Sequence, residues 1–167
     1  MKASRPIVRL GEACEITWDA RNASSVLILP EPGLVASSGR HIVKPQNSMW
    51  YLIAAVDDRG AADVQTVRLE VANAPALHRP IELPTGSIVA SPDSMVGGKP
   101  AQLKWSTYNA TTVAILPTIG FVGGAGEMDV FPQHTTTFHM FIANGYSTAS
   151  TSVQVQVYRW PSTTSGS

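Results

Sequence analysis

Apolar and polar residues alternate with a period of two over most of this chain. Cys14, Ile16 and Trp18 are separated by Glu15 and Thr17, the pattern of a strand with one buried face. Val26 and Ile28 begin a second run, and Pro30, which cannot donate to a strand ladder, stops it. Short runs at residues 34–35 and 41–43 follow, set off by turns at Glu31-Pro32-Gly33 and Ser37-Ser38-Gly39. The longest apolar run, residues 49–56, puts Tyr51, Ile53 and Ala55 on one parity. It then turns at Asp57-Asp58-Arg59-Gly60 into a strand over residues 65–71. In that strand Val67, Leu69 and Val71 point inward and Arg68 and Glu70 outward. With a first strand near residues 6–9, the tally is about seven short strands, spaced as a β-sandwich requires.

The whole pattern then recurs. Trp105, Asn109, Ala110, Val113, Ile115, Pro117, Gly120, Val122, Gly126, Val130 and Pro132 repeat Trp18, Asn22, Ala23, Val26, Ile28, Pro30, Gly33, Val35, Gly39, Val43 and Pro45 at constant spacing. Residues 3–57 laid without gaps on 90–144 share about 16 identities over about 55 positions, mostly turn and core types. In the second copy Gly123-Gly124-Ala125-Gly126 reads as a flexible turn. Asn144-Gly145 reads as a two-residue hairpin, one residue shorter than its counterpart, and Val153, Val155 and Val157 close the copy. The expected organisation is an all-β chain: a sandwich at residues 1–72, a proline-rich linker at 73–87, a second sandwich at 88–158 and a polar tail at 159–167. Pro75, Pro80 and Pro84 make the linker a semi-rigid spacer, with Leu77, Ile81 or Leu83 able to fix the angle by packing on a module. Truncating a buried tryptophan costs about 3–5 kcal/mol, so the duplicated Trp18 and Trp105 are read as one core anchor per copy rather than as sugar-stacking residues.

Composition narrows the function classes. Twelve Lys and Arg balance twelve Asp and Glu, which removes any electrostatic case for nucleic acid or an anionic membrane as the main partner. No apolar run approaches the ~20 residues of a spanning helix, and Met1 leads straight into polar residues without a signal-like apolar stretch. The expectation is a protein that stays in the cytosol until assembled or released, or one read without its leader. The single cysteine, Cys14, shares strand parity with Ile16 and Trp18 and is expected to be a buried, inert thiol.

The residues Gly98, Leu103, Trp105, Asn109-Ala110-Thr111, Val113, Ile115, Pro117, Gly120, Val130, Pro132, Thr135-Thr136-Thr137-Phe138 and Ala143-Asn144 resemble immunoglobulin-like repeats, found in tandem in bacterial surface proteins and phage virion proteins. The first copy departs from the pattern where Asn47-Ser48-Met49-Trp50 replaces the threonine run and Asp57 replaces asparagine. The resemblance implies two tandem immunoglobulin-like sandwiches. Such modules serve as spacers, adhesins and decoration on many assemblies.

Catalytic and metal patterns are missing from the sequence. His41, His78, His134 and His139 occupy unrelated repeat positions without zinc-ligand spacing, and Asp57, Asp58 and Asp63 lack the closely spaced oxygen donors of a calcium loop. There is no nucleophile elbow, phosphate loop or dinucleotide fingerprint. Asn22-Ala23-Ser24 and Asn109-Ala110-Thr111 fit a glycosylation sequon and are read as turn chemistry. No cofactor, metal or catalytic residue is expected. Repeated residues are accounted for by the core, so those that break the repeat are the candidates for recognition: Trp50, Tyr108, Phe121, Tyr146 and Trp160, with Met49 beside them. The expected role is a non-enzymatic virion accessory protein, decorating a head or attaching at a tail or fibre. Its expected partner is a capsid or tail protein or another copy of itself. The alternatives are a fragment of a bacterial surface or secreted adhesin, or a carbohydrate-binding accessory module that meets surface glycans.

Overall fold

The computed structural model describes residues 1–74 and 81–158. The first module holds β1 (Lys2–Ala3), β2 (Ile7–Arg9), β3 (Cys14–Asp19), β4 (Ser25–Leu29), β5 (Gly33–Val35), β6 (Ser38–Val43), β7 (Met49–Val56) and β8 (Ala62–Ala72). The second holds β9 (Thr85–Ser91), β10 (Ser94–Val96), β11 (Ala101–Tyr108), β12 (Thr112–Leu116), β13 (Gly120–Val122), β14 (Ala125–Val130), β15 (Thr136–Ala143) and β16 (Thr148–Tyr158). Each module is a sandwich of a three-stranded and a five-stranded sheet, ordered β1-β3-β6 and β2-β8-β7-β4-β5 in the first, β14-β11-β9 and β10-β16-β15-β12-β13 in the second. This is an immunoglobulin-like arrangement written twice.

Eight strands per module replace the expected seven because the leading strand divides. Its first half pairs antiparallel with β3 or β11, and its second half crosses to the other sheet and pairs parallel with β8 or β16. Pro6 and Pro92 stand at the two crossings, where a residue without an N–H interrupts the ladder. The second module also begins earlier than expected, since Thr85, Gly86 and Ser87 of the supposed linker already pair with β11.

Each sandwich encloses its own core. Trp18 packs with Ile16, Val26, Ile28, Tyr51 and Leu69, and Trp105 with Leu103, Val113, Ile115, Phe138 and Met140. Both indole N–H groups donate 2.9 Å bonds to backbone carbonyls, of Ala36 and Gly123 respectively. Both rings lie over a glycine. A Cβ at Gly39 or Gly126 would sit 2.7 Å from the ring above it, so these glycines belong to β6 and β14 rather than to the turns expected at Ser37-Ser38-Gly39 and Gly123-Gly124-Ala125-Gly126. Asn22 and Asn109 both adopt positive φ, 60° and 55°, the left-handed geometry that asparagine tolerates at a turn. Asn144-Gly145 does not form a two-residue hairpin. The strands stop at Ala143 and resume at Thr148, because the Asn144 carboxamide oxygen accepts from the N–H groups of Tyr146 and Ser147 and holds a wider loop.

A third core lies between the modules. On β4, β7, β12 and β15 the parity opposite to the sandwich interior is apolar as well, and the two five-stranded sheets meet face to face through it. Leu27, Leu29, Leu52, Ala54 and Val56 pack against Ala114, Leu116, Phe141 and Ala143, all buried. The contacts are reciprocal in repeat positions. Trp50 N–H donates to the Tyr146 carbonyl at 3.4 Å, and Thr137 N–H, at the position equivalent to Trp50, donates to the Arg59 carbonyl at 2.9 Å. Phe121 lies over Gly33 and Leu34 over Gly120, again an exchanged pair. The chain thus folds as an internal, approximately two-fold dimer of its own repeat, with an isologous interface.

Gly60 is the tightest point of this seam. Its carbonyl bonds His139 Nε2 at 2.7 Å, its φ is +82°, and a Cβ would meet the Thr137 backbone. Gly60→Ala is expected to cost about 1–3 kcal/mol, the range for forced overpacking, and to lower the midpoint of chemical unfolding accordingly. A neutral result in a urea titration would contradict the seam.

Candidate interaction surfaces

Three of the residues that break the repeat meet at the seam. Trp50, 42% exposed, lies on the β7 parity that faces the other module, and its backbone reaches Tyr146. Phe121, 51% exposed, covers Gly33 with one side of its ring. Tyr146 is half-buried in the β15–β16 loop. Trp50, Phe121 and Tyr146 therefore line the rim of the intermodule contact. Met49 points the other way, half-buried against the first core opposite Leu69. Trp160 lies outside the described residues.

Tyr108 sits apart, at the end of β11, 64% exposed. Its hydroxyl donates to the Glu82 carboxylate at 3.2 Å. The Glu82 carbonyl accepts from the side-chain amides of both Asn109 and Asn144. This latch draws the chain before β9 across one end of the second sandwich. Pro84 is buried there, and Gly86 lies against Met140 and Ile142 with no room for a Cβ. Ile81 and Leu83 remain exposed, and Leu77 lies outside the described residues. At the matching end of the first module, Ile53 and Ala55 occupy the places of Met140 and Ile142. There they line a cleft of about 330 Å³ with Asp19, Arg21, Asp57 and Asp63 on its walls.

Asp57 is the aspartate counterpart of Asn144. One carboxylate oxygen accepts from Arg59 N–H at 2.9 Å and Ala61 N–H at 2.8 Å. These backbone bonds, Ala61 first, hold its pKa below the ordinary aspartate value. A depressed folded-state pKa contributes stability that is complete above the unfolded value, about 3.9, and is lost as pH falls through the folded one. Asp57→Asn keeps an acceptor, as Asn144 does, but not the charge, and is expected to lower the neutral-pH melting temperature slightly, to flatten its fall below about pH 4 and to converge on the wild type at acid pH. Melting curves of the two proteins between neutral and acid pH check this.

A second cleft, about 490 Å³, opens in the other end of the second module. At the repeat-equivalent position of the first module stands Tyr51, whose buried hydroxyl reaches toward Glu31 at 3.5 Å. Burial and the Glu31 charge push that phenol above its usual pKa. Phe138 and Thr118 replace the pair in the second copy, and both line the cleft. Its wall carries Met128, Asp129, Phe131 and His134, and Asp58 is supplied by the first module. His134 Nε2 is buried without a hydrogen-bond partner. Sequence reasoning passed over this site because it weighed histidines for metal spacing, whereas the informative signal was the exchange of Tyr51 and Glu31 for Phe138 and Thr118.

Other chemistry is dispersed. Cys14 is buried, its Sγ within 3.5 Å of the Ser4 hydroxyl and the Arg5 carbonyl. Among the described residues no three or more His, Cys, Asp or Glu side chains are grouped to hold a metal, and no helix is long and apolar enough to cross a membrane.

No protein-family model and no curated protein sequence matches the chain. Among solved structures, the amphioxus IgVJ-C2 molecule is similar at 12% identity and a TM-score of 0.37, over 90% of this chain and 99% of that one. The N-terminal four Ig domains of Dscam1 isoform 1.9 are similar at 15% identity and a TM-score of 0.33, over 91% of this chain and 43% of that one. Those of isoform 6.9 match at 14% identity and a TM-score of 0.32, with the same coverage. Likenesses at this level carry no information on partners. By its own strand order, the chain is a pair of immunoglobulin-like modules, a fold of structural and interaction roles.

Proposed function

We propose that the protein is a non-enzymatic structural component of a phage particle, an accessory that decorates the head, with attachment at a tail or fibre as the nearest variant. The observation that carries this reading is the third core. Packing both five-stranded sheets on each other uses up the broad apolar face of each module and yields one stiff block of zero net formal charge. A block of that kind suits display in many copies on a symmetric lattice, where multivalency makes small individual contacts sufficient. The tandem repeat, with its resemblance to phage and bacterial immunoglobulin-like modules, supports the same reading. On it, the partner is a capsid or tail protein and the location is the virion surface.

Sedimentation with purified particles tests it. The protein is expected to pellet with phage heads at a fixed copy number per particle. Protein that remains in the supernatant while labelling the bacterial surface would assign it instead to adhesion. A glycan array probed with the wild type and Tyr108→Ala addresses the carbohydrate alternative, because Tyr108 is an exposed aromatic that stands clear of the seam.

A further inference from the structure

We propose that the cleft at the end of the second module is a receptor for an arginine side chain presented by a partner protein. His134 Nε2 is shut off from solvent and bonds to nothing, an arrangement that native interiors rarely leave uncompensated. Asp58 and Asp129 bring two carboxylates to the same cleft, and among the described residues no lysine or arginine lines it. Both carboxylates are acceptors only. The cleft therefore offers acceptors and, among the described residues, lacks a cation. A guanidinium is the side-chain group that meets this demand with several N–H donors fixed in one plane.

The apolar lining completes the match. Phe131, 58% exposed, and Met128, 43% exposed, stand where the first copy has Lys44 and His41, so two basic or ionisable side chains have been exchanged for apolar ones. An aromatic face beside carboxylates suits the stem and the flat cation of arginine together. Asp58 has Gly145 as its repeat counterpart, so only this end of the pseudo-symmetric pair gains a carboxylate from the neighbouring module. The site is composite, complete only in the packed chain, and it does not depend on which assembly carries the partner.

The test is a ¹H–¹⁵N titration of the intact 167-residue chain with acetyl-Gly-Arg-Gly-amide, set against the same peptide with citrulline, which keeps the shape and loses the charge. Saturable shifts are expected at Asp58 and over residues 128–136, with affinity for the citrulline peptide lower by about tenfold or more. Asp129→Asn, an exposed and conservative change, is expected to weaken arginine binding by a similar factor while leaving the rest of the spectrum in place. Phe131→Ala should weaken it too. Equal binding of the two peptides, shifts confined elsewhere, indifference to Asp129→Asn, or no saturable shift at millimolar peptide would each overturn the assignment.

Discussion

Phe141→Ala is expected to destabilise the protein by about 3–5 kcal/mol, the cost of emptying a fully buried aromatic site that cannot collapse. Phe141 is completely inaccessible, yet it belongs to neither sandwich interior. Its ring fills the space between the two five-stranded sheets, with Leu27, Leu29, Leu52 and Ala54 contributed by the other module. Its repeat counterpart is Ala54, so the interface sets a large residue on one side where it has a small one on the other. Leu27 and Ala114 are the same trade in reverse. That division of volume is what a two-fold contact acquires when its halves are free to diverge, and it leaves no nearby side chain able to fill the void. Differential scanning calorimetry distinguishes the outcomes. The variant should melt well below the wild type and resolve into two transitions as the modules uncouple. A single transition at the wild-type temperature would show that the sheet faces are not packed on each other.

Trp105→Ala is expected to cost a comparable amount, about 3–5 kcal/mol, but through the second module's own core. Two losses add there. The indole leaves a void among Leu103, Val113 and Met140 over Gly126, where the glycine's lack of a side chain deepens the hole. The Gly123 carbonyl also loses the 2.9 Å bond from the indole N–H. Trp105→Phe separates these terms, since it keeps much of the volume and removes only the donor; it should recover more than half of the lost stability. Gly126→Ala approaches the same contact from the opposite side, placing a methyl 2.7 Å from the ring, and is expected to destabilise by about 1–3 kcal/mol. Chemical unfolding followed by tryptophan fluorescence measures all three. Stability of Trp105→Ala within 1 kcal/mol of the wild type would contradict its place in the core.

The candidate surfaces were less legible than the fold, for a physical reason. A residue that breaks the repeat has been released from duplicated core packing, but release does not say what it serves instead. Trp50, Phe121 and Tyr146 lie at the seam, and Met49 packs against the first core. Tyr108 stays exposed while closing a latch on Glu82. The second cleft arose from residues whose types looked unremarkable singly. Phe138 and Thr118 line it where the first copy pairs Tyr51 with Glu31, a comparison that requires knowing which side chains converge.

Read alone, the amino-acid order determined the all-β class, the two sandwiches and the inward parity of each strand. These follow from local alternation and from prolines, asparagines and glycines whose backbone preferences act within a few residues. The runs Ser-Val-Leu-Ile-Leu at β4 and Thr-Val-Ala-Ile-Leu at β12 carry apolar residues on both parities, as strands covered on both sides do. An uninterrupted apolar run names no partner, however, because burial of a second face is a property of whatever comes to lie on it. Only the tertiary structure decided that the repeats cover each other, that Gly60 meets Thr137 and that Asp58 completes a cleft in the other module, since each depends on atoms far apart along the chain.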